Sequence, residues 1–156
     1  MGKIFSILIL FSCLTCWAKP SPIIDDTDDL TARSWLVTDA SDKILGSKNT
    51  GDVRSIASIT KVFTVLTVMA AKQPLDRYIK FRNTMITRQD LIMLSLIHSD
   101  NLASDLLCKN YDGGYNKCIA DMNTNARLWG LSNTTLVDAT GLAAGNISNA
   151  EDLLKL

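Results

Sequence analysis

The sequence predicts an α+β domain, with one β-hairpin followed by a run of helices. Three observations predict it. Residues 33–47 read as two short strands around a turn. From Ser58 onward, apolar residues recur at helical spacing between capping residues and glycines. The chain has 156 residues, 47% of them hydrophobic and 21% charged, which suits a single buried core.

Composition also excludes function classes. Lys plus Arg total 16 and Asp plus Glu total 16, so the formal charge is zero. A nucleic-acid partner calls for a basic excess or stripe, and none is present. With 8 Gly and 3 Pro the chain is neither collagen-like nor of low complexity. A single histidine, His98, removes most metal sites and any site built on several histidines.

Residues 1–18 read as a secretory signal. Lys3 supplies the positive start, Ile4 to Cys13 an apolar run too short to span a bilayer, and Cys16 and Ala18 the small residues before a cut. The expected location is therefore outside the cytoplasm, in a bacterial periplasm or extracellular. A second reading takes Leu10-Phe11-Ser12-Cys13 as a lipobox that anchors the chain through Cys13. Residues 19–30 form an acidic lead-in; its aspartates between Asp25 and Asp29 do not have the spacing of an EF-hand loop. The domain proper is expected over 31–156.

Arg33 to Thr38 is the first expected strand, Asp39 to Lys43 the turn, and Ile44 to Ser47 the returning strand. Ser58 to Ala71 carries apolar residues on all sides, so this helix is expected in the middle of the domain. Thr87 with Asp90 resembles a capping box opening a helix to His98, with Leu91, Ile92, Leu94 and Ile97 as its inner stripe. Further helices are expected over Asn101 to Asn110 and Tyr115 to Trp129, the latter ended by Gly130 in the left-handed conformation. Ser148 with Glu151 reads as a second capping box before a final helix. Cys108 and Cys118 flank Gly113-Gly114, and either bridge across a turn or pack as two small core residues.

Two short motifs carry chemistry. Ser58-Ile59-Thr60-Lys61 is a Ser-x-x-Lys pattern; three residues apart on a helix, the amine reaches the hydroxyl. An apolar surround disfavours ammonium and makes the lysine a usable base. The plainer reading is a capping serine and a snorkelling lysine. Ser99-Asp100-Asn101 lies between two expected helices and offers a hydroxyl and an amide; Ser47-Lys48-Asn49 has the same spelling but precedes Ser58. His98 reads as a helix C-terminal residue favoured by the dipole rather than as a base.

Together the two motifs resemble those of the penicillin-binding protein and serine β-lactamase superfamily. The wider series is similar to low-molecular-mass D-alanyl-D-alanine carboxypeptidases and endopeptidases. It runs through Ile56 to Lys61, Leu75-Asp76, Ser99 to Asn101, Tyr111 to Tyr115, Met122-Asn123, Gly141-Leu142, Asn146 and Ala150 to Leu153. The resemblance covers about residues 32–156 and implies a β-lactamase/transpeptidase-like fold. It implies that Ser58 is an acylated nucleophile, Lys61 its base and Ser99 the proton relay to the leaving amine, with Asn101 holding substrate. It implies a peptidoglycan peptide as substrate, β-lactams as covalent inhibitors, and no cofactor. A β-lactamase proper fits less well, because no Glu-x-x-Leu-Asn-type segment occurs.

One feature of the family is missing. No Lys-Thr-Gly-like triplet follows; Ala139-Thr140-Gly141 lacks the lysine and falls in a loop. The expectation is a helical cluster with the N-terminal hairpin of an incomplete antiparallel sheet, C-terminally truncated and catalytically impaired. Open strand edges would favour self-association. The alternative is a non-catalytic peptidoglycan- or β-lactam-binding remnant with a regulatory or interaction role.

Overall fold

The computed structural model describes residues 30–156. The signal, the lipobox and all of the acidic lead-in except Leu30 fall on residues 1–29, outside the described residues. Strand β1 (Trp35–Thr38) pairs antiparallel with β2 (Ile44–Lys48), and the register shifts between Val37 and Thr38. Asp39 closes the turn: its Oδ1 accepts the N–H groups of Ser41 and Lys43. This is the expected hairpin. A two-residue strand β3 (Arg54–Ser55) follows, then a 3₁₀ turn (Ala57–Ile59) and helix α1 (Thr60–Ala70).

Strands β4 (Tyr78–Phe81) and β5 (Thr84–Thr87) form a second hairpin that the sequence reading did not anticipate. Its signal is present: Ile79 and Phe81 are buried, while Tyr78 and Lys80 are exposed, the period of two of a half-buried strand. Helix α2 (Arg88–Ile97) then opens with the expected Thr87–Asp90 capping box. Its inner stripe is shorter than expected. Leu91 is fully buried, but Ile97 is 64% exposed, because among the described residues no element covers that face of the last turn of α2.

Helices α3 (Asn101–Lys109) and α4 (Gly114–Leu128) complete the cluster, and Gly130 takes the left-handed conformation after α4. The Cys108–Cys118 disulfide joins α3 to α4, deciding between the two readings of that pair. Strand β6 (Ile147–Ser148) pairs antiparallel with β3, and α5 (Ala150–Leu154) ends the described chain. The cap of α5 differs from expectation. Asn149, not Ser148, accepts the Asp152 N–H, and Glu151 instead accepts the Thr50 hydroxyl at 2.7 Å. Asn149 wins because Ser148 is already committed to the β3 pairing and to Thr134.

Helix α1 sits between two apolar clusters, which fits the expected central position. Phe63 belongs to the cluster of Cys108, Cys118, Met122, Ala126, Leu131 and Leu136. Val65 and Val68 belong to that of Ile79, Phe81, Leu91, Ala103 and Leu107. The helix is not covered all round, since Met69 is 53% exposed. Its polar side is buried as well: Thr60, Lys61, Thr64 and Thr67 all lie inside. Such positions cost free energy unless partnered; Lys61 and Thr64 meet the Thr140 and Ala139 carbonyls, whereas Thr60 Oγ1 has no partner among the described residues.

Candidate active site

Ser58 lies in the 3₁₀ turn ahead of α1, and Lys61 one turn on, in the helix proper. The expected helix start at Ser58 is displaced to Thr60, because residues 57–59 form a 3₁₀ turn, in which Ala57 takes a left-handed φ of 44°. A non-glycine residue in that region is strained and persists only where its surroundings hold it. Ser58 is exposed, whereas Lys61 is 2% exposed. Lys61 Nζ is 2.9 Å from Ser58 Oγ and 2.7 Å from the Thr140 carbonyl oxygen. An accessible hydroxyl thus rests on a buried amine.

Burial pushes the Lys61 amine below its ordinary range, opposed first by the nearby Asp138 carboxylate and then by Asp100. Desolvation disfavours the ammonium, so the side chain is easier to hold neutral than a surface lysine. A neutral amine next to a hydroxyl is the pairing that activates a serine nucleophile.

The loop at residues 138–143 forms one wall, and the sequence reading missed its role. The Thr64 hydroxyl donates to the Ala139 carbonyl at 2.8 Å, and the Ala139 N–H donates to the Tyr115 hydroxyl oxygen at 3.2 Å. Asn146 accepts the N–H groups of Val137 and Asp138 through Oδ1. The Ile56 N–H donates to the Asn146 carbonyl at 3.0 Å, fastening the loop to the Ser58 turn. Asp138 accepts the N–H groups of Thr140, Gly141 and Ala143, which outweigh the upward push of burial and hold its carboxyl below its ordinary value.

The α2–α3 turn carries Ser99 and Asn101, both exposed. Ser99 has a φ of 51°, the second strained position among these motifs. Asp100 caps α3 by accepting the Ala103 N–H at 2.9 Å and meets Arg82 at 3.1 Å. The buried Ser95–Ser104 hydroxyl pair, 2.7 Å apart, clamps α2 to α3 behind the turn. The Asp100 carboxylate favours the charged form of Lys61, less strongly than Asp138 does. Among the described residues, neither Ser99 nor Asn101 hydrogen-bonds to Ser58 or Lys61. Geometry therefore joins Ser58 to Lys61 directly and leaves the other pair on the α2–α3 turn, without a bond to them.

Comparison with known proteins identifies the family and the fold. The model of the D-alanyl-D-alanine carboxypeptidase family matches residues 21–80 and 74–156. A D-alanyl-D-alanine endopeptidase of Pseudomonas aeruginosa is 34% identical over 99% of this chain and 57% of its own length. One from Escherichia coli is also 34% identical, over 82% of this chain and 47% of its own. The chain thus spans about half the length of the curated relatives it matches. Among solved structures, penicillin-binding protein D2 of Listeria monocytogenes in its ampicillin-bound form superposes with a TM-score of 0.73 at 24% identity. It covers 81% of this chain and 59% of that one. A D-alanyl-D-alanine carboxypeptidase of Mycobacterium tuberculosis gives 0.70 at 24% identity, over 80% and 53%. The fold is therefore the β-lactamase/transpeptidase-like one, and the chain belongs to the D-alanyl-D-alanine carboxypeptidase family of serine peptidases.

Proposed function

We propose that the chain is a serine-type peptidase that cleaves D-Ala-D-Ala-type bonds of peptidoglycan stem peptides or cross-links through an acyl-enzyme at Ser58. One observation carries the reading: a 2%-exposed lysine amine lies 2.9 Å from an exposed serine hydroxyl. The endopeptidase names of the relatives support the cross-link as a substrate. In the acylation step Ser58 Oγ bonds to the carbonyl carbon while its proton passes to the Lys61 amine. The carbon–nitrogen bond breaks, and the leaving amine takes a proton through Ser99. Water then attacks the ester, releasing the acid and free Ser58. Asn101 holds the substrate backbone. β-Lactams acylate the same oxygen, and export carries the enzyme to the wall.

Within these 156 residues no Lys-Thr-Gly-like triplet occurs. A second reading, a covalent β-lactam or peptidoglycan binder without turnover, draws support from the absence of a hydrogen bond between Ser99 and Lys61. A fluorescent penicillin and intact-mass measurement test both. Label at Ser58 together with cleavage of a D-Ala-D-Ala stem peptide favours the peptidase, and label without any peptide cleavage favours the binder. Label that survives Ser58→Ala overturns the acyl-enzyme reading. Lys61→Ala is expected to slow labelling by about 10²–10⁴-fold. N-terminal sequencing of the exported protein is expected to start at Lys19, and a lipidated Cys13 would overturn that. Self-association through open strand edges is checked by light scattering.

A further inference from the structure

The chemistry proposed above uses Ser58, Lys61, Ser99 and Asn101 and leaves the loop at residues 138–143, whose Thr140 meets Lys61, without a role. That loop is unusually well held. Asp138 Oδ1 accepts the N–H of Thr140 at 2.6 Å, the N–H of Gly141 at 2.7 Å and the Thr140 hydroxyl at 3.1 Å. Asp138 Oδ2 accepts the Ala143 N–H at 2.7 Å. Four donors converge on one side chain, so only an acceptor with two free oxygens satisfies them. An asparagine would turn an N–H₂ group toward donors. The residue ahead is held too, since the Ala139 carbonyl takes the Thr64 hydroxyl. The peptide between these anchors presents the Thr140 carbonyl to Lys61 Nζ at 2.7 Å.

This orientation matters for proton transfer. A neutral amine has two N–H bonds and one lone pair. With one N–H fixed on the Thr140 carbonyl, the lone pair is free to turn to the Ser58 hydroxyl, 2.9 Å away. When the Ser58 proton moves to nitrogen, the bond to Thr140 becomes charge-assisted and therefore stronger. The acceptor is thus already in place where positive charge develops, and needs no rearrangement during the step.

We propose that Asp138 is a positioning residue for Lys61: its carboxylate fixes the Thr140 carbonyl on the lysine amine and keeps a negative charge close to where the ammonium forms. The inference rests on the acyl-enzyme reading of Ser58 and Lys61. The arrangement follows the logic of a nucleophile, a base and a third group that orients the base, with the third contact made through a peptide carbonyl. Other groups share the neighbourhood. The α2–α3 turn contributes Asp100, itself paired with Arg82. Helix α4 contributes the Tyr115 hydroxyl, bonded to the Ala139 N–H. The 3₁₀ turn ahead of α1 contributes the Ser58 hydroxyl. The Asp100 charge acts on Lys61 in the same sense as Asp138, so a test must change Asp138 alone.

The test measures the rate of acylation by a fluorescent penicillin across pH, using the full chain as wild type, Asp138→Asn and Asp138→Glu. Asp138→Asn is expected to lower the plateau about a hundredfold, the size of effect that misplacing a reacting group produces. It is also expected to move the acid limb of the profile to lower pH, because Lys61 loses a neighbouring negative charge. Asp138→Glu is expected to return the limb toward its wild-type position. A lower plateau with an unmoved limb means a purely structural role and overturns the proposal, as does an unchanged profile. A second measurement needs no variant of Asp138. In the wild-type chain, the Lys61 ¹³Cε resonance, assigned by Lys61→Arg, is expected to show a step at the pH where the Asp138 ¹³Cγ titrates. Absence of that step also overturns the proposal. If the wild type is not acylated at all, the acyl-enzyme reading fails, while the resonance experiment still decides whether the two side chains are coupled.

Discussion

Gly141 stands so close to Ala57 that a Cβ built on it would lie 1.9 Å from the Ala57 carbonyl oxygen. Gly141 also has a φ of 86°, which L side chains rarely adopt. The loop that orients Lys61 and the turn that bears Ser58 are thus in backbone contact. Gly141→Ala is expected to destabilise by about 2–5 kcal/mol, from left-handed strain plus overpacking against a backbone that cannot rotate away. It is expected to slow acylation as well, since relief of the clash displaces the Ala57–Ser58 peptide. Urea unfolding and penicillin labelling check both. A variant as stable and as reactive as wild type would mean that the contact is loose in solution.

Ser99 separates strain from function. At φ 51°, glycine is the favoured residue on backbone grounds alone. Ser99→Gly is expected to be more stable than Ser99→Ala by about 1 kcal/mol, because both lose the hydroxyl and only alanine keeps the Cβ penalty. Both are expected to lose peptidase turnover. Equal melting temperatures for the pair would show that the turn relaxes.

The Asp138 carboxyl lies below its ordinary value of 3.8 when folded. Its folded form therefore binds its proton less readily than the unfolded chain. Its stabilising contribution is fully present above the unfolded value and is lost as pH falls through the lower folded value. The stability gap between wild type and Asp138→Asn is expected to be constant from neutral pH down to about pH 5 and to close below about pH 4. Denaturant titrations at several pH values measure it. A gap that persists unchanged at pH 3 would exclude ionisation as its source.

The Cys108–Cys118 link encloses a short loop between α3 and α4. Replacing both with alanine is expected to cost about 2–3 kcal/mol in the chain-entropy account. Both sulfur-bearing residues are fully buried, so reductant is expected to act on the unfolded chain far faster than on the folded one. Thiol trapping with and without urea checks this, and rapid native-state reduction would contradict it.

Some of this fold was legible because the decisive interactions are local. The β1–β2 hairpin is marked by its strands and the Asp39 turn, α2 by Thr87 and Asp90 three apart, and the end of α4 by Gly130. The Ser58–Lys61 contact was legible for the same reason, being one helical turn long. The β4–β5 hairpin was missed although Ile79 and Phe81 alternate correctly, because four residues give little pattern to weigh. Asp138 was missed for a different cause. Its partners are backbone N–H groups, which every residue has, and its effect on Lys61 passes through a carbonyl 79 residues away in sequence. Ile97 was misjudged because helical periodicity gives a face but not whether another element covers it.

The pairing of β3 with β6 has a consequence in time. Ser55 faces Ile147 and Arg54 faces Ser148, so the backbone just ahead of Ser58 is tied to residues made much later. At a synthesis rate of about 5–20 residues per second, the roughly ninety intervening residues take about 5–18 seconds to emerge. Until then Ile56 has no Asn146 carbonyl to meet, and Lys61 has no Thr140 carbonyl to hold. A growing chain thus carries its serine and lysine early but without the wall that orients them. The placing of the Lys61 amine is thus a property of the closed loop rather than of the Ser58–Lys61 stretch itself.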